Sequence, residues 1–236
     1  MKKIAILGAA ESGVGAAILA QKQGYDVFVS DMGIIKPHYK DMLNDHGINW
    51  EEGQHSSEKI LDASEIIKSP GIPDNAPIVA QAVQLGIHII NEIEFAGRYT
   101  NAKMICITGS NGKTTTTSLI YKIMVDAGRK VSLGGNIGES FAYSVATDKY
   151  FWHVLELSSF QLDGCYKFKA DIGVLTNITP DHLDRYDYSF QNYVDSKMRI
   201  VQNQHSRSCF VYSADDEVIM AEIEKRPDMR QRLLPF

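Results

Sequence analysis

A lysine preceded by a glycine turn and followed by hydroxyl side chains suits phosphate chemistry, and residues 108–115, TGSNGKTT, supply that set. Gly109, Ser110, Asn111 and Gly112 break the apolar run Met104 to Ile107. Lys113 then opens a stretch of threonines that leads into the helical spacing of Leu119, Ile120 and Ile123. Strand, glycine turn and helix present backbone N–H groups and a helix N-terminus to an anion. Lys113 adds a point charge, and a hydroxyl at Thr114 or Thr115 can hold the magnesium that accompanies a polyphosphate. The full P-loop pattern needs a further glycine where Ile107 stands, so the motif reads as a shortened Walker A loop.

Other reactive candidates sit where apolar runs end. Glu156 closes the run Phe151 to Leu155, the place where a P-loop protein puts an acid for magnesium; a solvated strand-end acid is the alternative. After the run Asp171 to Ile178, Asp181, His182 and Asp184 either bind a metal or orient water, or His182 is a lone surface histidine. Lys197 shares one face with Phe190, Tyr193, Val194, Ile200 and Val201 in a helix read over 190–202. A charged ammonium there is costly unless paired or neutralised, and the alternative is a stem that snorkels outward. Three glycines around Asn136, in residues 134–138, allow close approach of a backbone or a ligand.

The elements that must position these residues read as an α/β chain. Lys3 to Leu7 is a strand, a glycine-containing turn from Gly8 to Gly15 follows, a helix runs to Gly24, and a second strand, Asp26 to Ser30, ends in Asp31. This is the opening unit of a nucleotide-binding sheet, although Ala10 stands where the middle glycine of G-x-G-x-x-G belongs and restricts close approach of a pyrophosphate. Ser69, Pro70 and Gly71 begin a rigid turn after the strand Glu65 to Lys68, either a plain turn or a binding loop. Helices are read at 39–46, 57–61, 76–85 and 215–225, strands at 87–90, 130–133 and 209–212, a helix or connector at 92–99, and no element after Pro227. The expected architecture is a Rossmann-like parallel-sheet domain over 1–92 and a P-loop-type α/β domain over 93–236.

Composition sets the outer limits. The 236 residues are 44% hydrophobic, enough to fill real cores, and the net charge of −5 with interspersed signs gives no basic stripe for nucleic acid. No apolar run approaches the roughly 20 residues of a membrane span, and the N-terminus lacks a signal peptide's apolar core, so a cytoplasmic protein is expected. Cys106, Cys165 and Cys209 are widely separated in apolar contexts, which suits core residues in a reducing compartment.

Taken in order, SPGIP (69–73), TGSNGKTT (108–115), GGNIG (134–138), LELSSFQL (155–162), NITPDHLDRY (177–186) and the lysine of DSKMRI (195–200) carry a resemblance that covers essentially the whole chain. It resembles the Mur ligases of bacterial peptidoglycan synthesis, and among them the branch that adds D-glutamate. The resemblance implies a first domain that binds the UDP part of a substrate rather than NAD. Glu11, Ser12 and Gly13 would approach the diphosphate and Asp31 the uracil. Ser69, Pro70, Gly71, Asn136, Ser158 and Gln161 would contact the UDP-muramoyl substrate. Gly109, Ser110, Asn111, Gly112, Lys113, Thr114 and Thr115 would bind ATP. Thr114 and Glu156 would hold one magnesium, and His182 a second metal faced by Lys197 as a carbamate. Lys113, Glu156, His182 and Lys197 form the implied catalytic set.

The implied reaction is ATP-dependent addition of D-glutamate to UDP-N-acetylmuramoyl-L-alanine through an acyl phosphate, by a monomer in the bacterial cytoplasm, in service of cell-wall synthesis and division. Relatives carry a longer central domain and a third α/β domain. The resemblance therefore implies an N-terminal portion that binds the UDP substrate without completing ligation alone. Three other readings stand beside it: another ligase of the Mur or folylpolyglutamate type, a non-catalytic UDP-sugar or nucleotide-binding module, and an NAD-dependent dehydrogenase. The last explains only about the first 35 residues and leaves the P-loop without a purpose.

Overall fold

In the computed structural model, which describes residues 2–236, contacts divide the chain into two units. In the first, β1 (Lys3–Leu7), α1 (Glu11–Lys22), β2 (Asp26–Asp31), α2 (Pro37–Asp45), β3 (Asn49–Glu52), α3 (Ser57–Ile60), β4 (Glu65–Lys68), α4 (Pro77–Gln84), β5 (His88–Ile90) and α5 (Glu92–Gly97) follow one another. A helix between successive strands carries the chain back to its starting edge, so the strands run parallel. They form a sheet ordered β3-β2-β1-β4-β5. Ile4, Ala5, Ile6 and Leu7 of the central strand have no exposed surface, as a strand covered on both faces requires. Full burial of each large aliphatic side chain contributes roughly 1.5–3 kcal/mol. The entry of α1 depends on Gly13, where a Cβ would stand 1.9 Å from the Gly8 carbonyl oxygen. Pro37 and Pro77 open α2 and α4, where a missing N–H costs nothing.

The second unit comprises β6 (Lys103–Thr108), α6 (Lys113–Asp126) and β7 (Val131–Gly135). The chain then leaves it for α7 (Phe141–Thr147) before resuming with β8 (Trp152–Glu156), α8 (Ser159–Asp163), β9 (Ile172–Leu175), α9 (Phe190–Met198), β10 (Cys209–Tyr212), α10 (Glu217–Glu224) and β11 (Arg232–Pro235). Its sheet, again all parallel, is ordered β11-β10-β9-β6-β8-β7. The strand order reverses at β1, between β2 and β4, in the first sheet and at β6, between β9 and β8, in the second, and such a switch point opens a crevice at the strands' carboxyl ends. No helix among the described residues is long and apolar enough to cross a membrane.

Several elements differ from the sequence reading. The units do not part at residue 92: the first extends to Thr100 and regains Glu139–Lys149. The reason is packing, since α5 buries Ile93, Phe95 and Ala96 beside α1 and α7, while Glu92 accepts hydrogen bonds from the Ser140 hydroxyl (2.5 Å) and the Ala142 amide (2.9 Å). The helix expected over 190–202 is α9 followed by a 3-10 turn, Arg199–Val201. Beyond Pro227, where no element was expected, β11 pairs with β10 as a short edge strand that tolerates Pro235 at its end.

Candidate functional site

The loop after β6 is shaped by two glycines for two different reasons. Gly109 has φ 150°, and a Cβ on it would lie 1.9 Å from Thr176 Oγ1; Gly112 has φ 79° with open space around it. Both need a positive φ that glycine alone holds easily, and Gly109 needs room as well. The segment after β9 latches the loop. Ser110 N donates to Asn177 O (3.0 Å), Asn111 N to Asn177 Oδ1 (2.9 Å), and Thr176 Oγ1 and Asn177 Nδ2 both donate to Asn111 O (2.7 and 3.0 Å). The Ser110 hydroxyl reaches Thr179 O (2.9 Å) and the Tyr193 hydroxyl (3.1 Å). Thr176, Asn177 and Tyr193 hold the loop in place without standing among the candidate site residues, although Asn177 opens the NITPDHLDRY stretch and Thr176 precedes it. With the loop's carbonyls so occupied, the amides of Gly112, Lys113, Thr114 and Thr115 meet no protein acceptor among the described residues, and no side chain caps α6. Open donors at the N-terminus of a 14-residue helix form an anion cradle.

Beside the cradle stands Glu156, 1% exposed, at the end of β8. Thr114 Oγ1 donates to its Oε2 at 2.7 Å and Asn136 Nδ2 to its Oε1 at 2.8 Å. Gly135 (φ 94°) permits this approach, because a Cβ there would meet the Glu156 carbonyl oxygen at 2.2 Å. A carboxylate and a threonine hydroxyl are hard oxygen donors of the kind magnesium prefers. Among the described residues no three His, Cys, Asp or Glu side chains converge as a ready-made cation cage. The residues therefore fit a magnesium held by Thr114 and Glu156, with its remaining oxygens drawn from water and a bound phosphate.

Lys113 Nζ curls back to the carbonyls of Gly109 (2.9 Å) and Ser110 (3.0 Å). Lys197 is 2% exposed, so its stem does not snorkel outward; its Nζ donates to Gly109 O at 2.8 Å and lies 4.5 Å from the centre of the Tyr193 ring. Burial first, and the charge of Lys113 second, lower its pKa to about 7, so a large share of the amine is neutral at neutral pH. His182 lies in the segment between β9 and α9, next to Asp181, whose charge also acts on Lys197. It takes a left-handed φ of 50°, packs its ring on Phe160 (5.4 Å between centroids), and places Nε2 3.5 Å from the Asp181 carboxylate. Ser158 and Gln161 are committed to each other as the capping box of α8: the Ser158 hydroxyl accepts from Gln161 N, and Gln161 Oε1 accepts from Ser158 N.

The first unit has its own crevice, a cleft of about 610 Å³ lined by Gly8, Asp31 and Gly71 among others, at the carboxyl ends of β1, β2 and β4. The Asp31 carboxylate accepts from Ala9 N (2.6 Å) and Gly33 N (2.7 Å), which fixes the glycine turn to the end of β2. Ser69 Oγ, before Pro70 and Gly71, is buried with no protein partner among the described residues. Glu11 and Ser12 form the first turn of α1, where Glu11 Oε1 accepts from Ser140 N (3.2 Å), and Gly13 is buried behind them.

Residues 107–231 match the model of the Mur ligase middle domain, and residues 3–78 that of the MurD N-terminal domain. The chain belongs to the Mur ligase family. This Mur ligase chain is 59% identical over 236 residues to the UDP-N-acetylmuramoylalanine–D-glutamate ligase of Bacteroides fragilis, a match that covers 100% of the chain and 53% of that protein. To the enzyme of the same name from Porphyromonas gingivalis it is 57% identical over 233 residues, 99% of the chain and 52% of the relative. The chain thus spans about half the length of the curated relatives it matches. Among solved structures, the UDP-N-acetylmuramate:L-alanyl-gamma-D-glutamyl-meso-diaminopimelate ligase of Neisseria meningitides aligns with a TM-score of 0.70 at 20% identity, covering 100% of this chain and 78% of that one. The UDP-N-acetylmuramate–alanine ligase of Thermotoga maritima aligns with a TM-score of 0.57 at 23% identity, covering 92% and 50%. At these identities the likeness speaks for the Mur ligase fold alone.

Proposed function

We propose that the chain carries the substrate sites of an ATP-dependent ligase that joins D-glutamate to UDP-N-acetylmuramoyl-L-alanine, the activity for which its 57–59% identical relatives are named. The observation that carries the reading is the 2.7 Å contact between Thr114 and Glu156 beside the four open amides of the 109–115 loop. In this reading the amides and Lys113 bind the ATP phosphates, and Thr114 and Glu156 hold magnesium. Magnesium bound there would supply charge neutralisation on the phosphates.

A carboxylate is inert towards an amine and must first be activated. The L-alanyl carboxylate oxygen attacks the γ-phosphorus, the bond to the bridging oxygen breaks, and ADP leaves with that electron pair. The D-glutamate nitrogen then adds to the acyl phosphate carbonyl, loses its proton and expels phosphate. Lys113 offsets charge at the transferring group. A neutral Lys197 amine can add to carbon dioxide, forming an N–C bond and releasing a proton; the resulting carbamate and His182 would be the residues to hold a second metal. Asp31, Ser69, Pro70 and Gly71 line the uridine side of the substrate, and the enzyme works as a cytoplasmic monomer.

Calorimetric titration of the chain with UDP-N-acetylmuramoyl-L-alanine, UDP-N-acetylmuramic acid and NADH tests the reading. The expected order places the alanyl substrate first and shows no heat for NADH. Binding of NADH in place of the UDP substrate would point to a dehydrogenase-type module instead.

A further inference from the structure

Under the first unit's cleft lies a polar cluster that the reading above leaves unused. Ser30, at the end of β2, is fully buried, and its Oγ lies 2.7 Å from Glu51 Oε1, 2.6 Å from His55 Nδ1 and 3.2 Å from the Gln54 carbonyl. Glu51 also accepts from the Ser56 amide (2.7 Å), the Ser56 hydroxyl (2.5 Å) and the Gln54 side-chain amide (3.3 Å). Burial by itself would raise the Glu51 pKa, but the Ser56 and Ser30 donors outweigh it and hold the carboxyl below its ordinary value. Glu51 is therefore an anion that can only accept.

A serine hydroxyl owns a single proton. The Glu51 carboxylate and the Gln54 carbonyl claim it, and a lone pair on His55 Nδ1 would then face a lone pair on Ser30 at 2.6 Å. Nδ1 must be the donor. Burial, stronger than the opposing charges of Glu51 and Asp31, also lowers the His55 pKa, so the ring carries one proton. With that proton on Nδ1, Nε2 is a bare acceptor, and no protein donor meets it among the described residues. His55 lines the cleft alongside Asp31.

We propose that His55 selects the base of the nucleotide bound in this cleft by accepting a hydrogen bond at Nε2, which favours uracil, whose N3 is a donor, over cytosine, whose N3 is an acceptor. The assignment rests on the uridine reading of the cleft. It makes His55 a specificity residue whose tautomer is set by Ser30 and Glu51, since a site built to accept leaves an acceptor unpaired against the wrong base.

Two measurements test it. Nitrogen-15 spectra of the imidazoles in the ligand-free chain at neutral pH read the tautomer directly. Nδ1 protonated and Nε2 bare is the expected pattern for His55, and a protonated Nε2 overturns the assignment whatever the cleft binds. Calorimetry with UDP and CDP then compares the wild type with His55→Leu. The wild type should prefer UDP by about tenfold, and His55→Leu should weaken UDP about five- to tenfold and bring the two nucleotides within about twofold. UDP binding with an unchanged preference in His55→Leu overturns the role of His55 and leaves the uridine reading intact. Failure of the wild type to bind UDP overturns that reading and this assignment with it.

Discussion

Lys113 and Lys197 aim their Nζ atoms at one acceptor, the Gly109 carbonyl oxygen, at 2.9 and 2.8 Å. Two full charges meeting on one carbonyl repel, and the buried partner yields: Lys197 has its pKa lowered to about 7 by burial and then by Lys113. In the unfolded chain this lysine titrates near its ordinary value. Between about pH 7 and 10 the unfolded state therefore binds more protons, and stability rises with pH across that window. Urea denaturation at pH 7 and pH 9 should show the wild type gaining about 2 kcal/mol relative to Lys197→Met. Parallel stabilities of the two proteins would mean that Lys197 stays charged in the folded state.

Glu92 gives the opposite sign. Burial raises its carboxyl pKa to about 7, above the unfolded value of 4.5, despite the donors at Ser140 and Ala142. The folded state thus holds the extra proton between about pH 4.5 and 7, and stability drains away as pH rises through that range. Glu92→Gln keeps an acceptor for both donors and carries no charge. It should be the more stable protein at pH 8, by on the order of 2 kcal/mol, with the gap closing towards pH 5. A gap that does not change with pH would contradict this.

Thr114→Val keeps the shape of the side chain and removes the hydroxyl that meets Glu156, which retains Asn136 as a donor. Titration calorimetry should find MgATP binding weakened about 10- to 100-fold, with binding of metal-free ATP little altered. Equal loss with and without magnesium would place Thr114 on the phosphates alone.

Both loop glycines hold a positive φ, and Gly109 alone also faces a steric clash. Gly112→Ala meets open space but must hold a left-handed φ, at a cost of about 1–2 kcal/mol. Gly109→Ala adds a collision with Thr176 and should cost more, with loss of nucleotide binding. Thermal melts of the two variants check the order.

What the sequence disclosed follows from how local each feature is. β1 and β6 carry continuous apolar runs, β8 keeps one broken only by His153, and the glycine–lysine–threonine loop declares its chemistry by residue type. β3 and β11 carry polar or exposed residues at sheet edges, so no apolar signal marks them. The return of residues 139–149 to the first unit depends on contacts such as that between Glu92 and Ser140, distant in sequence and invisible to periodicity. Lys197 was legible as a problem, a cation on an apolar face, and the structure supplied its partner. Ser158 and Gln161 show the reverse case: S-x-x-Q is the spacing of a capping box, and their polar groups serve helix α8.

We propose that one chain holds two nucleotide sites, one for a uridine-linked sugar in the first unit and one for MgATP in the second. Titration of UDP-N-acetylmuramoyl-L-alanine and MgATP in both orders, on the wild type and on Thr114→Val, measures this directly. One equivalent of each should bind whichever is added first, and Thr114→Val should weaken MgATP about 10- to 100-fold while keeping the UDP substrate. Competition between the two ligands for a single site, or loss of both in Thr114→Val, would contradict the account.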